Sequence, residues 1–578
     1  MEKNKLYNVS EKLYESNNLK DLKQLVNMIK EKYSNKTAFK IRNKNNEVTE
    51  ITFKTFVEDI EALGTALISI GLKEKRIAVI SENRYEWCVT YLSTVTGVGV
   101  SVPLDRSLPE NEIIDLINRS EVEAVFFSEK YNPVMEKIIS NKDTKVKFFI
   151  SMDLEEKTET MYSQKELIKL GKELISNGAR TFIDTEVDNK VMTVMLFTSG
   201  TTSKSKAVML SHENIANNIN DITNLFDIQV GDTLLSFLPL HHTFECTVGF
   251  LYAISTGATI AFCRGIRYIA EDIKLNKISV MISVPLLFES LYKQIMKTIE
   301  KSGKMKKFQI GLKISGILRK FGIDKRRELF KEIHQNLGGN LRLFVAGAAA
   351  FDPIIEKNLN NIGIDTYQGY GATENSPVIA AEHKTCTRPG SVGKLLPSVE
   401  GKVIDVDEKG IGEFIVKGPS VMLGYYNNEE ATKDTLKDGW LYTGDLGYFD
   451  KDGYMFITGR KKNVIVLKNG KNVYPEEIES LINKISGVKE CFVYGKPEKD
   501  DPIDLKLAVK VVYDEEYMKN ELKLNDEKEI KDAIWKEIKE INKTMPTYKY
   551  IKELTITLNE FEKTTTQKIK RFEEIKKV

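Results

Sequence analysis

Across 578 residues there are only five cysteines and five histidines. Cys88, Cys246, Cys263, Cys386 and Cys491 stand far apart with no CxxC pair, which excludes a disulfide framework and predicts a reducing compartment. No HExxH and no Cys/His cluster at zinc spacing occurs, so a transition-metal enzyme is not expected. Net charge is scarce as well. Lys and Arg number 85 against 83 Asp and Glu, leaving +2, too little across so large a surface to attract a polyanion; no nucleic acid partner is expected. Long apolar runs are also missing. The most apolar stretch, TVGFLYAISTGATIAFC at 247–263, falls short of the roughly 20 residues a spanning helix needs and is broken by Gly, Ser and Thr. It predicts a buried helix followed by a strand. The start, MEKNKLYNVSEKLYESNN, lacks the apolar core of a signal peptide, so a cytoplasmic location is expected.

Short β-branched runs are abundant: RIAVI at 76–80, VGVSV at 98–102, EAVFF at 123–127, VKFFI at 146–150, MTVMLF at 192–197, SVMISV at 279–284 and LRLFVA at 341–346. Helical periodicity separates most of them, as where Ile113, Ile114, Leu116 and Ile117 form a stripe in ENEIIDLINRS. This alternation predicts an α/β fold with parallel sheets covered on both faces. After about residue 400 hairpin signals take over, such as GYFDKDGYMFITG with Asp452-Gly453 at the turn. A helix from about Pro475, a strand in LKLAVKVV and a charged helix near 526–544 then predict a separate small α+β domain.

Residues 196–212, LFTSGTTSKSKAVMLSH, place hydroxyls, one glycine and two lysines after a predicted strand and before a helix that Ser211 can cap from about His212. Backbone N–H groups, hydroxyls and lysines on one loop suit a polyphosphate, but a second glycine directly before a lysine is absent, so this is not a Walker loop. On composition alone it is equally a polar turn. Five further segments carry chemistry-bearing residues: LPLHHTFE at 238–245, YQGYGATENSP at 367–377, YTGDLG at 442–447, GRKKNVIVLKNGKNVYPEEIE at 459–479 and EKTTTQKIKR at 562–571. Thr373 and Glu374 offer hard oxygen ligands, and Asp445 offers a carboxylate for hydroxyl donors. A glycine-rich turn and a turn-forming Asp are the plain alternatives. His241 and His242 suit either an imidazole gate or a structural pair.

In this order these segments resemble the core motifs of the adenylate-forming (AMP-binding) superfamily, which includes acyl-CoA synthetases, luciferases and peptide-synthetase adenylation domains. VSVPLDRSLPENE, SVPLLFESLYKQI, LPLHHTFE and NGKNVYPEEIE are most similar to bacterial long-chain fatty acid–CoA ligases. The resemblance implies a large N-terminal domain over 1–460, built of two α/β sheet subdomains and a small β subdomain, followed by a small mobile α+β domain over 461–578. It implies ATP, Mg2+ and CoA as cofactors and a fatty acid as substrate, activated to acyl-AMP and then transferred to a thiol. Thr198, Ser199, Gly200, Thr201, Thr202 and Lys206 would form the phosphate loop. Gly347, Gly369, Tyr370, Gly371, Ala372 and Thr373 would pass the adenine, Asp445 would hold the ribose, and Arg460 would also contact the nucleotide. Glu374 and Thr198 would bind Mg2+, Lys568 would be the catalytic lysine, Lys462 the interdomain hinge, and His241 and His242 the gate of an acyl tunnel.

Within the resemblance, an acyl carrier protein in place of CoA, or a medium-chain or aryl acid, are alternatives. A catalytically silent acyl or nucleotide sensor is an alternative of another class. Peripheral association with the inner membrane surface, without insertion, follows from a fatty-acid substrate. Ser203, Ser205 and Ala207 stand where Gly, Pro and Gly are commonest in the family, and Glu562 and Gln567 replace Pro and Gly. These departures alter backbone stiffness rather than charged groups.

Overall fold

Seven of the apolar runs become strands in two large sheets, because a parallel strand covered on both faces is apolar along its whole length. The computed structural model describes residues 6–7, 9–42, 47–141, 144–198, 205–468, 471–498, 501–563 and 569–577, without the side chains of 501–504. The first large sheet has eight strands. Met192–Thr198, Gly99–Pro103, Lys75–Ile80, Ala124–Phe127, Phe148–Ser151 and Tyr162–Ser163 run parallel, and Lys206–Ser211 and Gly424–Tyr425 close one edge antiparallel. The second has nine, with a parallel centre of Asp365–Gly371, Leu343–Ala346, Val280–Ser283, Thr233–Ser236, Thr259–Phe262 and Thr37–Arg42.

One core serves both sheets. The helix Phe53–Ser69, capped by the Thr52 hydroxyl, buries Phe56, Val57, Ile60, Leu63 and Leu67 and turns Lys54, Thr55 and Glu58 to solvent. Phe39 of the second sheet meets Phe56 at 4.8 Å and Tyr85 at 5.3 Å between ring centres. Beside them, 244–263 forms the expected buried helix and strand, but the helix Phe244–Tyr252 is wound as a π-helix. Such widened turns are rare and gather at functional sites.

The hairpin expected around Asp452-Gly453 joins Trp440–Phe449 to Met455–Arg460 within a five-stranded antiparallel sheet. The C-terminal part has its own core, with Ile478, Ile482, Val493, Val509, Val511, Ile530, Ile534 and Ile538 beneath a three-stranded sheet.

One expectation is corrected. The polar loop after Thr198 does not lead from a strand into a helix. It returns through a second strand, Lys206–Ser211, antiparallel to the first, and only then does the Ser211 and Asn214 capping box start the helix His212–Leu225. The run KAVMLS pairs on both sides, with Met192–Thr198 and with Gly424–Tyr425, and that pairing overrides the short approach to a helix that the local pattern suggests.

Candidate active site

The hairpin sets the first group of site residues. Thr198 is directly opposite Lys206, and its Oγ1 donates weakly, at 3.4 Å, to the Lys206 carbonyl. Ser199, Gly200, Thr201 and Thr202 lie outside the described residues. The Lys206 ammonium sits 4.8 Å from the centre of the Tyr425 ring. That ring is brought there by the edge pairing of Tyr425 with Val208. The Tyr425 hydroxyl donates to Glu374 Oε1 at 2.8 Å, and burial followed by the nearby Glu374 charge raises the phenol above its ordinary range. Tyr425 thus couples the Thr198–Lys206 hairpin to the acid of the GATE turn.

The turn itself has little freedom. A Cβ on Gly371 would lie 2.1 Å from the Pro377 carbonyl oxygen, so glycine is required where the strand Asp365–Gly371 bends. Ala372 N–H then donates to that same oxygen at 2.9 Å. Gly369 is within the strand, opposite Ala381. Thr373 and Glu374 follow in a short 3-10 turn, and Met422 N–H donates to the Glu374 carbonyl at 2.8 Å. Gly347, after the strand Leu343–Ala346, passes so close to Phe244 that a Cβ would stand 2.8 Å from its ring.

Asp445 is buried in the strand Trp440–Phe449, not in a turn. Its Oδ2 accepts from the Tyr370 hydroxyl at 2.6 Å, and its Oδ1 lies 2.8 Å from Arg460 Nε, opposite it in the hairpin. Asp445 holds the guanidinium above its usual range, while burial and the Asp445 charge push the Tyr370 phenol well up. A carboxylate has about four lone-pair sites, so two remain for further donors.

His241 and His242 have ring centres 4.2 Å apart, and His241 Nε2 lies 3.3 Å from Asp105 Oδ1. Only His241 of the two lines a small apolar cavity of about 10 Å3, together with Tyr91, Val194, Leu196, Cys246 and Thr247. Thr243 also lines it, and its hydroxyl is 3.5 Å from that of Thr373. Thr243 is therefore the joint between the cavity and the GATE turn.

Lys462 occupies the short turn Lys461–Asn463 directly after the strand ending at Arg460. Its neighbours are held, Lys461 by Glu413 at 2.7 Å and Asn463 by Glu476 at 2.6 Å. Lys568 lies outside the described residues. Lys563 and Ile569 around it bridge antiparallel, and Arg571 bonds Glu479 of the C-terminal core. Among the described residues, no group of three or more His, Cys, Asp or Glu is placed to hold a metal.

Tyr425, Thr243 and Asp105 escaped the sequence reading. Tyr425 is 51 residues from Glu374, and Thr243 is 130 from Thr373. Only the tyrosine pair after Gly424 hinted at a packed turn, and nothing local marked the others.

A mixed α/β body that brings together the Thr198 and Lys206 hairpin, a glycine turn bearing Glu374 and the buried Asp445–Arg460 pair suits an enzyme that acts on a nucleotide. The chain belongs to the AMP-binding enzyme family: the family model matches residues 28–426, and the model for the AMP-binding enzyme C-terminal domain matches 462–577. The long chain acyl-CoA synthetase 4 of Arabidopsis thaliana is 30% identical over 77% of this chain and 71% of its own. The long-chain-fatty-acid–CoA ligase 5 of Mus musculus is 30% identical over 87% of this chain and 78% of its own. A chloroplastic long-chain-fatty-acid–acyl-carrier-protein ligase of A. thaliana is 26% identical, over 81% and 74%. The fold matches that of the anthranilate CoA ligase AuaEII in complex with anthranoyl-AMP, with a TM-score of 0.76 at 19% identity, covering 96% of this chain and 97% of that one. ATP-bound MatB of Rhodopseudomonas palustris matches with 0.73 at 24% identity, over 96% and 98%.

Proposed function

We propose that the protein is an ATP-dependent fatty acid–CoA ligase acting on long-chain acids. Two observations support this: the named relatives, and one line of contacts that carries the reading. That line runs from Thr198 and Lys206 through Tyr425 to Glu374, back along the turn to Tyr370, and on to Asp445 and Arg460. It supplies phosphate donors, a hard carboxylate and a ribose acceptor in the order in which a nucleoside triphosphate needs them.

In the first half-reaction the fatty-acid carboxylate attacks the α-phosphorus of ATP, forming acyl-AMP and releasing pyrophosphate. Lys206 and the hydroxyls of the hairpin hold the phosphates, Asp445 accepts from the ribose, and Gly347 with Gly369–Thr373 borders the base. Lys568 stabilises the charge that builds between carboxylate and phosphorus. In the second half the CoA thiol attacks the acyl carbon and AMP leaves. Residues 1–460 and 461–578 act as two domains, and rotation about Lys462 exchanges Lys568 for the thiol.

One carboxylate and one hydroxyl, Glu374 and Thr198, are a sparse donor set. That suits Mg2+, which keeps several waters and is carried mainly by substrate phosphates. When bound, the ion neutralises phosphate charge. Thr243 sets the nucleotide turn beside the cavity at His241, which is where the acyl chain would enter. The cavity, at about 10 Å3, has room for little more than one water, so an acyl chain entering there must displace side chains such as Tyr91 and His241.

The test is an assay of purified protein with MgATP and a panel of fatty acids, resolving AMP, ADP and pyrophosphate with and without CoA. AMP and pyrophosphate with a long-chain acid, and acyl-CoA only when CoA is present, are expected. Transfer only to an acyl carrier protein would change the acceptor, and no AMP with any acid would favour a silent sensor.

A further inference from the structure

One helix, Met305–Lys320, carries apolar side chains on two opposite faces. Inward, it buries Phe308 against Phe330, with ring centres 5.6 Å apart, and Ser315, whose hydroxyl donates to the Asn361 carbonyl at 2.7 Å. Outward, Ile310, Ile314, Ile317 and Phe321 are 58, 41, 56 and 76% exposed. Their spacing of i, i+4, i+7 and i+11 is that of a single helical stripe. Large apolar side chains in such a row have no reason to face water unless something covers them.

The charges around the stripe say what covers it. At about 100° per residue, Lys306, Lys313 and Lys320 border one side of the stripe and Lys307 the other. From Gly303 to Ile323 there are six Lys or Arg and no Asp or Glu. Lys304 and Lys325 are paired, with Glu332 and Glu328. Among the described residues, Lys306, Lys307, Lys313 and Lys320 form no ion pair. The Glu332 carboxyl is lowered by Lys304 first and by nearby Lys307 as well, whereas no carboxylate pairs with Lys306, Lys313 or Lys320 among the described residues.

We propose that Met305–Lys320 lies flat on an anionic lipid surface, with Ile310, Ile314, Ile317 and Phe321 in the boundary between headgroups and acyl chains and the four lysines over lipid phosphates. An apolar stripe rimmed by lysines is the pattern of an interfacial helix, and each lysine near an anionic leaflet adds to the attraction. The helix rests on the surface and does not span it: among the described residues no helix is long and apolar enough to cross a membrane. This surface stands whatever acid the catalytic site takes.

The full-length protein is tested by co-flotation with phosphatidylcholine vesicles that contain or lack phosphatidylglycerol, at low and at physiological salt. It floats with the anionic vesicles, less so as salt rises, and not with pure phosphatidylcholine. The variant with Lys306, Lys307, Lys313 and Lys320 each changed to Gln, and the variant I317E/F321S, bind at least about 100-fold more weakly. Both keep the wild-type melting temperature and the wild-type rate of ATP–pyrophosphate exchange, because every altered side chain points to solvent. Undiminished flotation of either variant would overturn the proposal. So would the absence of flotation together with a wild-type dimer that either variant abolishes, which would mean that a second copy of the chain covers the stripe.

Discussion

Asp445 shows how much depends on one buried carboxylate, which balances Arg460 and also receives the Tyr370 hydroxyl. Asp445→Ala leaves the guanidinium without its nearest counter-charge and removes the proposed ribose acceptor. Hydrogen bonds to charged groups contribute about 1.5–3 kcal/mol, so the KM for ATP should rise about 10- to 100-fold while the KM for the fatty acid stays within a small factor. A change confined to the fatty-acid KM would dismiss the ribose role. Glu374 permits a cleaner separation. Glu374→Gln keeps an oxygen for the Tyr425 hydroxyl and loses only charge, so the melting temperature should hold while the Mg2+ concentration at half-maximal rate rises by about 10-fold or more. An unchanged Mg2+ titration removes Glu374 from the metal site. Both acids were legible as candidates because their motifs are compact. Their partners were not, since Tyr425 and Thr243 reach them only through strand pairing and helix packing between distant segments.

Among the elements, the π-helix Phe244–Tyr252 carries Glu245 into the core, where its Oε1 accepts from the Ser236 hydroxyl at 2.7 Å and its Oε2 has no hydrogen-bond partner among the described residues. Burial pushes this carboxyl up to about 8 from an ordinary 4.5. The folded chain keeps the proton across that interval and the unfolded chain releases it, so the native state binds more protons and stability falls as pH rises from about 4.5 to about 8. The loss is on the order of a few kcal/mol. Glu245→Gln should flatten this slope and raise the melting temperature at the alkaline end of the window. Glu382, raised by burial and by the adjacent Glu356, slopes the same way, so the difference between wild type and variant is the quantity that reads Glu245. An identical slope in the two proteins would refute the assignment. Two residues on, Thr247 lines the cavity, which has little free space, so Thr247→Trp should overpack it, raising the KM for long-chain acids far more than for short ones and lowering the melting temperature. The sequence pattern showed that this segment is buried and helical. It could not show the widened winding, because a 3.6-residue apolar period does not distinguish an α-turn from a π-turn.

For the whole molecule, the two half-reactions should separate by mutation. Lys568→Ala should lower adenylate formation by about 100- to 1,000-fold yet leave thioester formation from supplied acyl-AMP nearly intact. Lys462→Pro, which fixes one backbone angle of the hinge, should do the reverse. Equal loss of both halves in each variant would discard the alternating scheme. The two large sheets were legible because buried parallel strands read as continuous apolar runs. The return strand Lys206–Ser211 was not, since it owes its state to neighbours on both sides, one of them more than 200 residues away.

That long reach has a consequence during synthesis. The strand Thr37–Arg42 takes Val48–Thr52 at one edge at once, but its other edge waits for Thr259–Phe262, and the bond from Thr259 Oγ1 to the Thr37 carbonyl spans 222 residues. At about 5–20 residues per second, the ribosome leaves that edge open for roughly 10–45 s. Throughout that interval Phe39 has Phe56 and Tyr85 to pack against but lacks Phe250 and Phe262, and one edge of its strand is open. Destabilising changes near Phe39 should therefore lower the yield of folded protein more than the activity of the molecules that fold, which expression level against specific activity would check.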